Sequence, residues 1–395
     1  MTTRGKVMIE RIGNQCCGCG ACASGCPKAC VEMRANDEGF LYPVVDGVRC
    51  SHCGRCEKVC PVLNTQLLRK WERVEAWGAT ARDEALVKKS SSGGVFSLLA
   101  LSVLRSGGVV YGAAFCDGFQ SVRHVRIDNE ADLERLRGSK YVQSDIADCY
   151  VQAREDLLSG RTVLFSGTPC QIAGLKGYLR EEYEELICVD VACHGCPSPL
   201  LWKKYIDNAA GNKKVVDVCF RDKRSGWRQF GLCLKYVNGE RYERMDRNPY
   251  MHMFLRDYCL RESCYHCAVK EAGSAADITI GDFWGVELVA EDLNNDRGVS
   301  LALLHTEKGK KYWDAQNTNM FFHPAEFTKA LQGNSAINHS VLKPRERNHF
   351  FTDLQSMSIK IMIRKYVLLD QFKTRLYSSL LWRAARKIRR LIASR

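Results

Sequence analysis

The sequence predicts a chain of the α+β / α/β class: a cysteine-rich N-terminal domain, a central domain built round a mixed sheet, and a C-terminal helical tail. Three observations carry that expectation. Ten of the 21 cysteines lie between residues 16 and 60, strand-like and helix-like segments alternate from 74 to 209, and no acid follows Asp370 among eight Lys or Arg. At 395 residues and 46% hydrophobic content, the chain has material for more than one core. No stretch reaches eighteen consecutive apolar residues, since the longest, 95–104, is closed by Arg105. The N-terminus has no signal-peptide h-region. These features predict a cytoplasmic chain with reduced thiols rather than a disulfide-stapled one.

The N-terminal domain reads from its cysteines. Cys16, Cys19, Cys22 and Cys26 before Pro27 give C-x2-C-x2-C-x3-C-P, and Cys50, Cys53, Cys56 and Cys60 before Pro61 repeat it at an offset of 34 residues. A compact C-x2-C-x2-C loop wraps three corners of one cubane, while the fourth cysteine ligates the other cluster. The expectation is a bacterial ferredoxin-like domain over 1–65 with two 4Fe-4S centres. One is held by Cys16, Cys19, Cys22 and Cys60, the other by Cys50, Cys53, Cys56 and Cys26. Gly18, Gly20, Ala21 and Gly54 let the backbone approach the sulfides. Zinc is the alternative, but it draws two short ligand pairs into one tetrahedron and needs no duplicated pattern. Cys17 and Cys30 fall outside the repeat and are expected to pack as small hydrophobes.

Beyond a linker at 62–73, the pattern predicts strands at 74–80, 109–115, 162–166 and 186–192, and helices at 93–104, 130–137, 146–158 and 197–209. Alternation of this kind favours an α/β domain around a mixed sheet. Shorter alternating segments over 215–244 suggest antiparallel strands, with two more at 277–283 and 299–305. The expected divisions are 74–192, 193–350 and a tail, 351–395.

Three segments of the central domain have the chemistry of a flavin site. Ser90, Ser91, Ser92, Gly93 and Gly94 place hydroxyls and bare amides at a helix N-terminus, where an anionic phosphate or flavin ring is stabilised. The plain alternative is a capped helix behind a glycine turn. Gly167, Thr168, Pro169, Cys170 and Gln171 follow a buried strand and open a helix, with Thr168 as cap and Pro169 at its first position. Ligands collect beyond the carboxyl ends of such strands, although a well-capped helix needs no ligand. Gly138, Ser139, Lys140, Tyr141, Val142, Gln143 and Ser144 offer a cation, an aromatic face and several polar groups, or else an ordinary surface loop.

A second cysteine set comprises Cys193 and the C-x4-C-x2-C run of Cys259, Cys264 and Cys267. Four thiolates suit a third cluster; zinc, or free thiols with Cys196 or His266 as a substitute ligand, are the alternatives. Cys116, Cys149, Cys188, Cys219 and Cys233 stand alone in apolar surroundings and read as core.

Taken in order, these segments resemble the family of coenzyme F-420 (deazaflavin) hydrogenase/dehydrogenase beta subunits, here preceded by a ferredoxin domain. The resemblance is carried by Lys89 to Gly94, Gly138 to Ser144, Gly167 to Gln171, Cys193-His194-Gly195 with Pro197-Ser198-Pro199, Cys259 to Cys267, and the run Asp277-Ile278-Thr279-Ile280-Gly281-Asp282-Phe283-Trp284-Gly285. It implies an oxidoreductase that binds FAD and iron–sulfur clusters and passes electrons between a one-electron chain and a two-electron substrate. It makes the three loops flavin contacts and the late cysteines cluster ligands. Cys196 departs from the apolar residue similar proteins carry there. The implied partners are a redox donor or acceptor such as ferredoxin or the deazaflavin coenzyme; a polysaccharide-pathway compound is a further substrate class. Lys140 and the helix opening at Thr168 are the candidates for stabilising a reduced, anionic flavin. No acid or base for catalysis is identifiable.

The formal charge of +13 does not make a nucleic-acid protein. Each oxidised cubane with four thiolates carries about −2, so three would bring the total to about +7, and no reader motif is present. The remaining basicity gathers at the end of the chain. On a helical projection Tyr377, Leu380, Leu381, Ala384, Ala385, Ile388, Leu391 and Ile392 fall opposite Arg383, Arg386, Lys387, Arg389 and Arg390. That pattern fits an anchor at an anionic membrane surface, peripheral at the inner face, as well as a basic helix packed on its own domain. Two rival functions follow: an electron-relay protein without its own substrate, and a membrane-surface accessory protein.

Overall fold

The computed structural model describes residues 8–72 and 74–372. Its first sheet is a hairpin, β1 (Val31–Ala35) and β2 (Leu41–Val45), paired antiparallel with Val31 opposite Val45. The hairpin separates two cysteine-bearing turns, each leading into a four-residue helix, Ala21–Ser24 and Arg55–Lys58. Gly20 and Gly54 enter those helices at φ of 77° and 68°, a left-handed conformation open to glycine without a Cβ clash. The repeated sequence is thus a repeated structure.

Further strands follow: β3 (Glu75–Ala81), β4 (Val109–Phe115), β5 (Val122–Ile127), β6 (Ser144–Asp145), β7 (Val163–Gly167) and β8 (Leu186–Val191). After them come β9 (Val215–Asp222), β10 (Gly231–Tyr236) and β11 (Glu240–Arg244), then β12 (Ile278–Asp282), β13 (Ser300–Leu304) and β14 (Met320–Ala325). β9 to β11 form a separate three-stranded antiparallel sheet; the others make a nine-stranded mixed sheet in the order β14-β3-β13-β12-β8-β7-β4-β5-β6. β4, β7, β8 and β12 run parallel. β3 shares their direction because it opposes β13, which in turn opposes β12. Five carboxyl ends therefore lie on one edge of the sheet.

The apolar strand sequences follow from cover on both faces. In β4, Val110 and Ala114 pack towards helix Val95–Arg105, whereas Val109 and Tyr111 pack towards helices Cys149–Leu158 and Pro169–Leu179. β8 divides the same way, with Ile187 and Val189 on one side and Leu186 and Cys188 on the other. A third core is aromatic: Trp202, Tyr205, Phe220, Tyr250, Phe254 and Phe350 surround Phe40, delivered by the β1–β2 hairpin and fully buried. This core takes residues from all four expected segments of the chain, so the divisions at 193 and 351 cross a continuous interior.

Two contacts lock the N-terminal module to the rest. Glu38 in the hairpin turn pairs bidentately with buried Arg347 at 2.8 and 2.7 Å, and its carbonyl accepts from Ser198 Oγ at 2.6 Å. Helix Pro169–Leu179 lies against the cysteine turns through two glycines. A Cβ at Gly174 would fall 3.0 Å from Cys19 Sγ, and one at Gly177 only 2.4 Å from the Val59 carbonyl oxygen.

The expected helix over 130–137 shortens to Leu133–Leu136. Sequence reading assigns nothing to 122–127 or 320–325, yet both are strands, their alternation masked by charges and a proline. Of the expected tail, the described part holds helix Arg347–Ser356 and helix Ile359–Ile363 running into a π-turn at Arg364–Leu368. The basic stretch proposed as a membrane anchor, 373–395, lies outside the described residues. Among the described residues no helix is long and apolar enough to cross a membrane.

Candidate redox site at the carboxyl edge of the sheet

All three loops expected to contact a flavin come to the edge where β3, β4, β7, β8 and β12 end. Residues 90–94 follow β3 through the short helix Glu84–Lys89, residues 167–171 end β7, and residues 138–144 lead into β6, which runs opposite to β4. They touch in sequence. Ser139 donates to Ser91 Oγ from both its amide (2.7 Å) and its hydroxyl (3.0 Å). At the other end of the same loop, Gln171 Nε2 donates to Ser144 Oγ at 2.9 Å, while Gln171 Oε1 accepts the Thr168 amide at 3.0 Å. Gly93 has no space for a Cβ, which would meet the Ala79 carbonyl oxygen at 2.2 Å. Gly138, at φ +80°, faces open space.

Side chains that sequence reading missed support these loops. His124 on β5 bridges Ser144 Oγ and the Ser166 carbonyl, each at 2.9 Å, and burial pushes it down to about 4, so it is neutral. Arg221 on β9 is buried, 2.8 Å from Asp282 and over the ring of Phe230 at 3.6 Å. Trp284 stacks on Trp227 at 4.8 Å. Burial pushes Lys140 down to about 7, and its Nζ donates to the carbonyls of Arg135 (2.9 Å) and Arg137 (2.7 Å). It therefore caps its own preceding turn. Tyr141 packs into the aromatic core, 5.0 Å from Phe254 and 5.4 Å from Phe220.

The eight repeat cysteines separate into two groups of opposite exposure. Cys16, Cys19, Cys22 and Cys60 are buried. Burial, then the charges of Cys16 and Cys60, push the Cys22 thiol up; burial, then Cys16 and Cys56 act in the same sense on Cys60, where the Leu63 and Val62 amides pull it back. Cys26, Cys50, Cys53 and Cys56 line a cavity of about 220 Å³ with Cys30, Lys28, His52 and Arg55, and Cys53 is exposed. Cys30 packs in the core of the N-terminal module, its sulfur 3.3 Å from that of Cys26. Among the described residues no three His, Cys, Asp or Glu converge on a single-ion site. A tetrahedral zinc would draw four sulfurs to about 2.3 Å from one point, whereas a cubane holds its thiolates apart on four irons.

The third cysteine set differs from its expected membership. After burial, which raises the Cys193 thiol, and Lys270, which lowers it, the neighbours acting on Cys193 are Cys264, Cys170 and Cys267. Cys196 joins them: its amide donates to Cys264 Sγ at 3.3 Å. Cys259 does not. It is fully buried in the aromatic core with its thiol towards the Met253 carbonyl at 3.8 Å, and its charged neighbours are Asp257 and Arg347. His266 is exposed on a short 3-10 turn. Cys170, read from sequence as part of a flavin loop, opens helix Pro169–Leu179 with its sulfur 3.2 Å from Thr168 Oγ1. Helix geometry, invisible in the C-x4-C-x2-C spacing, turns Cys259 away and brings Cys170 in.

Two family models match the chain. Residues 160–329 match the C terminus of the beta subunit of coenzyme F420 hydrogenase/dehydrogenase, and residues 15–64 match the 4Fe-4S dicluster domain. The chain is 22% identical over 317 residues to the F(420)H(2) dehydrogenase protein of Methanosarcina mazei designated its F subunit, covering 77% of this chain and 83% of that protein. Over 59 residues it is 32% identical to the VorC component of the ketoisovalerate oxidoreductase of Methanothermobacter marburgensis, covering 14% of this chain and 72% of that one. A chain of the F420-reducing NiFe hydrogenase complex from Methanosarcina barkeri superposes with a TM-score of 0.46 at 16% identity, over 70% of this chain and 97% of the other. The chain thus carries the C-terminal domain of the coenzyme F420 hydrogenase/dehydrogenase beta subunit behind an N-terminal 4Fe-4S dicluster domain, and is an iron–sulfur oxidoreductase.

Proposed function

We propose that this protein passes electrons one at a time from a partner at its surface, through two 4Fe-4S centres and a third thiol-held centre, to a FAD site where a two-electron substrate is reduced or oxidised. The observation that carries the reading is the contrast in exposure between the two repeat groups, together with a third thiol group at the sheet edge. Cys53 is exposed, Cys16 and Cys60 are buried, and Cys170 with Cys193 lies at the sheet edge where the three loops meet. Cys50, Cys53, Cys56 and Cys26 hold the outer centre, and Cys16, Cys19, Cys22 and Cys60 the inner one. For the third, Cys193, Cys264 and Cys267 are joined by Cys170 in place of Cys259.

The loop chemistry fits a dinucleotide flavin. Hydroxyls of Ser91 and Ser139, the bare backbone at Gly93 and Gly138, and the N-termini of helices Val95–Arg105 and Pro169–Leu179 offer donors to anionic oxygens. Bound FAD would supply the exchange between one-electron and two-electron chemistry. Two single-electron transfers balance each two-electron turnover. The deazaflavin coenzyme is the substrate class that the matched C-terminal domain favours.

Around the outer cavity, Arg11, Lys28, Arg55 and Lys58 are exposed, and none forms an ion pair among the described residues. That unpaired rim suits an acidic one-electron carrier. Anaerobic purification followed by iron, sulfide and flavin analysis tests the reading. It predicts about twelve irons with FAD, and reoxidation of the photoreduced protein by deazaflavin coenzyme. About eight irons without flavin would replace it with an electron relay.

A further inference from the structure

Three arginines are buried among the described residues: Arg221, Arg261 and Arg347. Two have acid partners, Asp282 at 2.8 Å for Arg221 and Glu38 at 2.7 Å for Arg347. Arg261, with none of its surface exposed, has no carboxylate partner among the described residues. Its Nε donates to the Cys16 carbonyl at 2.6 Å, Nη1 to Gln143 Oε1 at 3.1 Å and Nη2 to the Leu41 carbonyl at 2.8 Å. The guanidinium also lies 4.1 Å from the centre of the Tyr42 ring. Neutral acceptors orient the group without cancelling its charge, and an uncompensated buried cation is strongly unfavourable. The chain supplies one class of anion at this place, the thiolates of the cysteine loops and whatever iron–sulfur core they carry.

The backbone of the same residue reaches the neighbouring centre. The Arg261 amide donates to the Cys196 carbonyl at 2.9 Å, and the Arg261 carbonyl accepts from the Cys264 amide at 2.9 Å. One residue therefore ties the loop of the inner cysteine group to the thiols around Cys193.

We infer that Arg261 is a positioning residue that supplies the counter-charge of the inner four-cysteine centre, raises its reduction potential above that of the outer centre, and holds it in register with the thiol group around Cys193. The inference rests on the reading that Cys16, Cys19, Cys22 and Cys60 hold a cubane. Reduction adds one negative charge to such a core, and a fixed cation in a medium of low dielectric favours the more negative state. The outer centre has only exposed cations near it, which water and salt screen. The same two cluster types in the same repeat thus acquire an inward slope in potential.

The experiment is an EPR-monitored redox titration of the full-length, anaerobically reconstituted protein and three variants, with iron and sulfide measured on each. Arg261→Met removes the charge; Gln143→Glu keeps the arginine but gives it an acid partner; Arg261→Lys keeps a cation. The expected result is a fall in the midpoint of one cubane in Arg261→Met and Gln143→Glu, an unchanged midpoint for the other, and recovery towards the wild-type value in Arg261→Lys. Should Arg261→Met fail to retain its irons, Gln143→Glu decides. Unshifted midpoints in fully loaded Gln143→Glu overturn the inference, as does an equal shift of both centres. A wild-type protein that reconstitutes fewer than two cubanes fails differently, bringing down the underlying reading before any variant is compared.

Discussion

The two cysteine repeats are identical in spacing and opposite in circumstance. Cys16, Cys19, Cys22 and Cys60 lie beneath helix Pro169–Leu179, the 138–144 loop and Arg261, whereas Cys50, Cys53, Cys56 and Cys26 open towards solvent behind exposed basic side chains. A duplicated motif gives two equivalent coordination sites. Burial by the rest of the chain makes them inequivalent, one suited to exchange with a partner and the other to transfer inward.

The largest expected effect separates them by stability. Cys60→Ser and Cys53→Ser should each lose one centre of about four irons. Cys60→Ser should also lower the melting temperature far more, because its empty site lies in the interface with the main sheet. Calorimetry on both variants checks this, and equal losses would break the comparison.

Burial without a counter-charge can be isolated at Asp190, at the carboxyl end of β8. It has no exposed surface, its Oδ1 has no partner, and burial pushes it up to about 7 from a model-compound value of 3.8. A folded-state value above the unfolded one means that the neutral acid is favoured by folding. That stabilisation is whole below about pH 4 and is lost as pH rises through about 7. Asp190→Asn should therefore gain up to about 4 kcal/mol over wild type at pH 8 and show a flatter denaturation profile between those limits. A parallel profile in the variant would remove the argument.

The docking contact is a smaller lever. Gly177→Ala places a Cβ 2.4 Å from the Val59 carbonyl oxygen, an overpacking expected to cost about 1–3 kcal/mol. Hydrogen exchange should rise in the Val59 turn and not in the Ser51–Cys53 loop. Uniform exchange would show that the module does not depend on this helix.

The smallest effect on the fold should come from the rim of the outer centre. Reversing Lys28 and Arg55 to Glu should slow reduction by an acidic carrier about tenfold at low salt, with the difference vanishing at high ionic strength and stability nearly unchanged. A salt-independent rate would place the partner elsewhere.

Much of this architecture was legible from local pattern. The spacing of the eight N-terminal cysteines, the strands at 109–115 and 186–192, and the turn opening with Thr168 and Pro169 are all encoded within a few residues, where covalent geometry, capping and side-chain alternation act. β5 and β14 escaped because their pairing partners, not their composition, make them strands.

Cys259 and Cys170 show the limit most clearly. Spacing in the chain grouped Cys259 with Cys264 and Cys267, but the turn after helix Pro249–Leu255 buries it among aromatic rings while helix Pro169–Leu179 carries Cys170 to the thiol group. The amino-acid order alone determined that iron–sulfur centres are held here and which cysteines of the N-terminal repeat are spaced to hold them. Which centre is buried, which thiols meet at the sheet edge and which cation stands between them were decided by packing of elements distant in the chain, because burial and electrostatic neighbourhood are properties of the folded interior and not of sequence spacing.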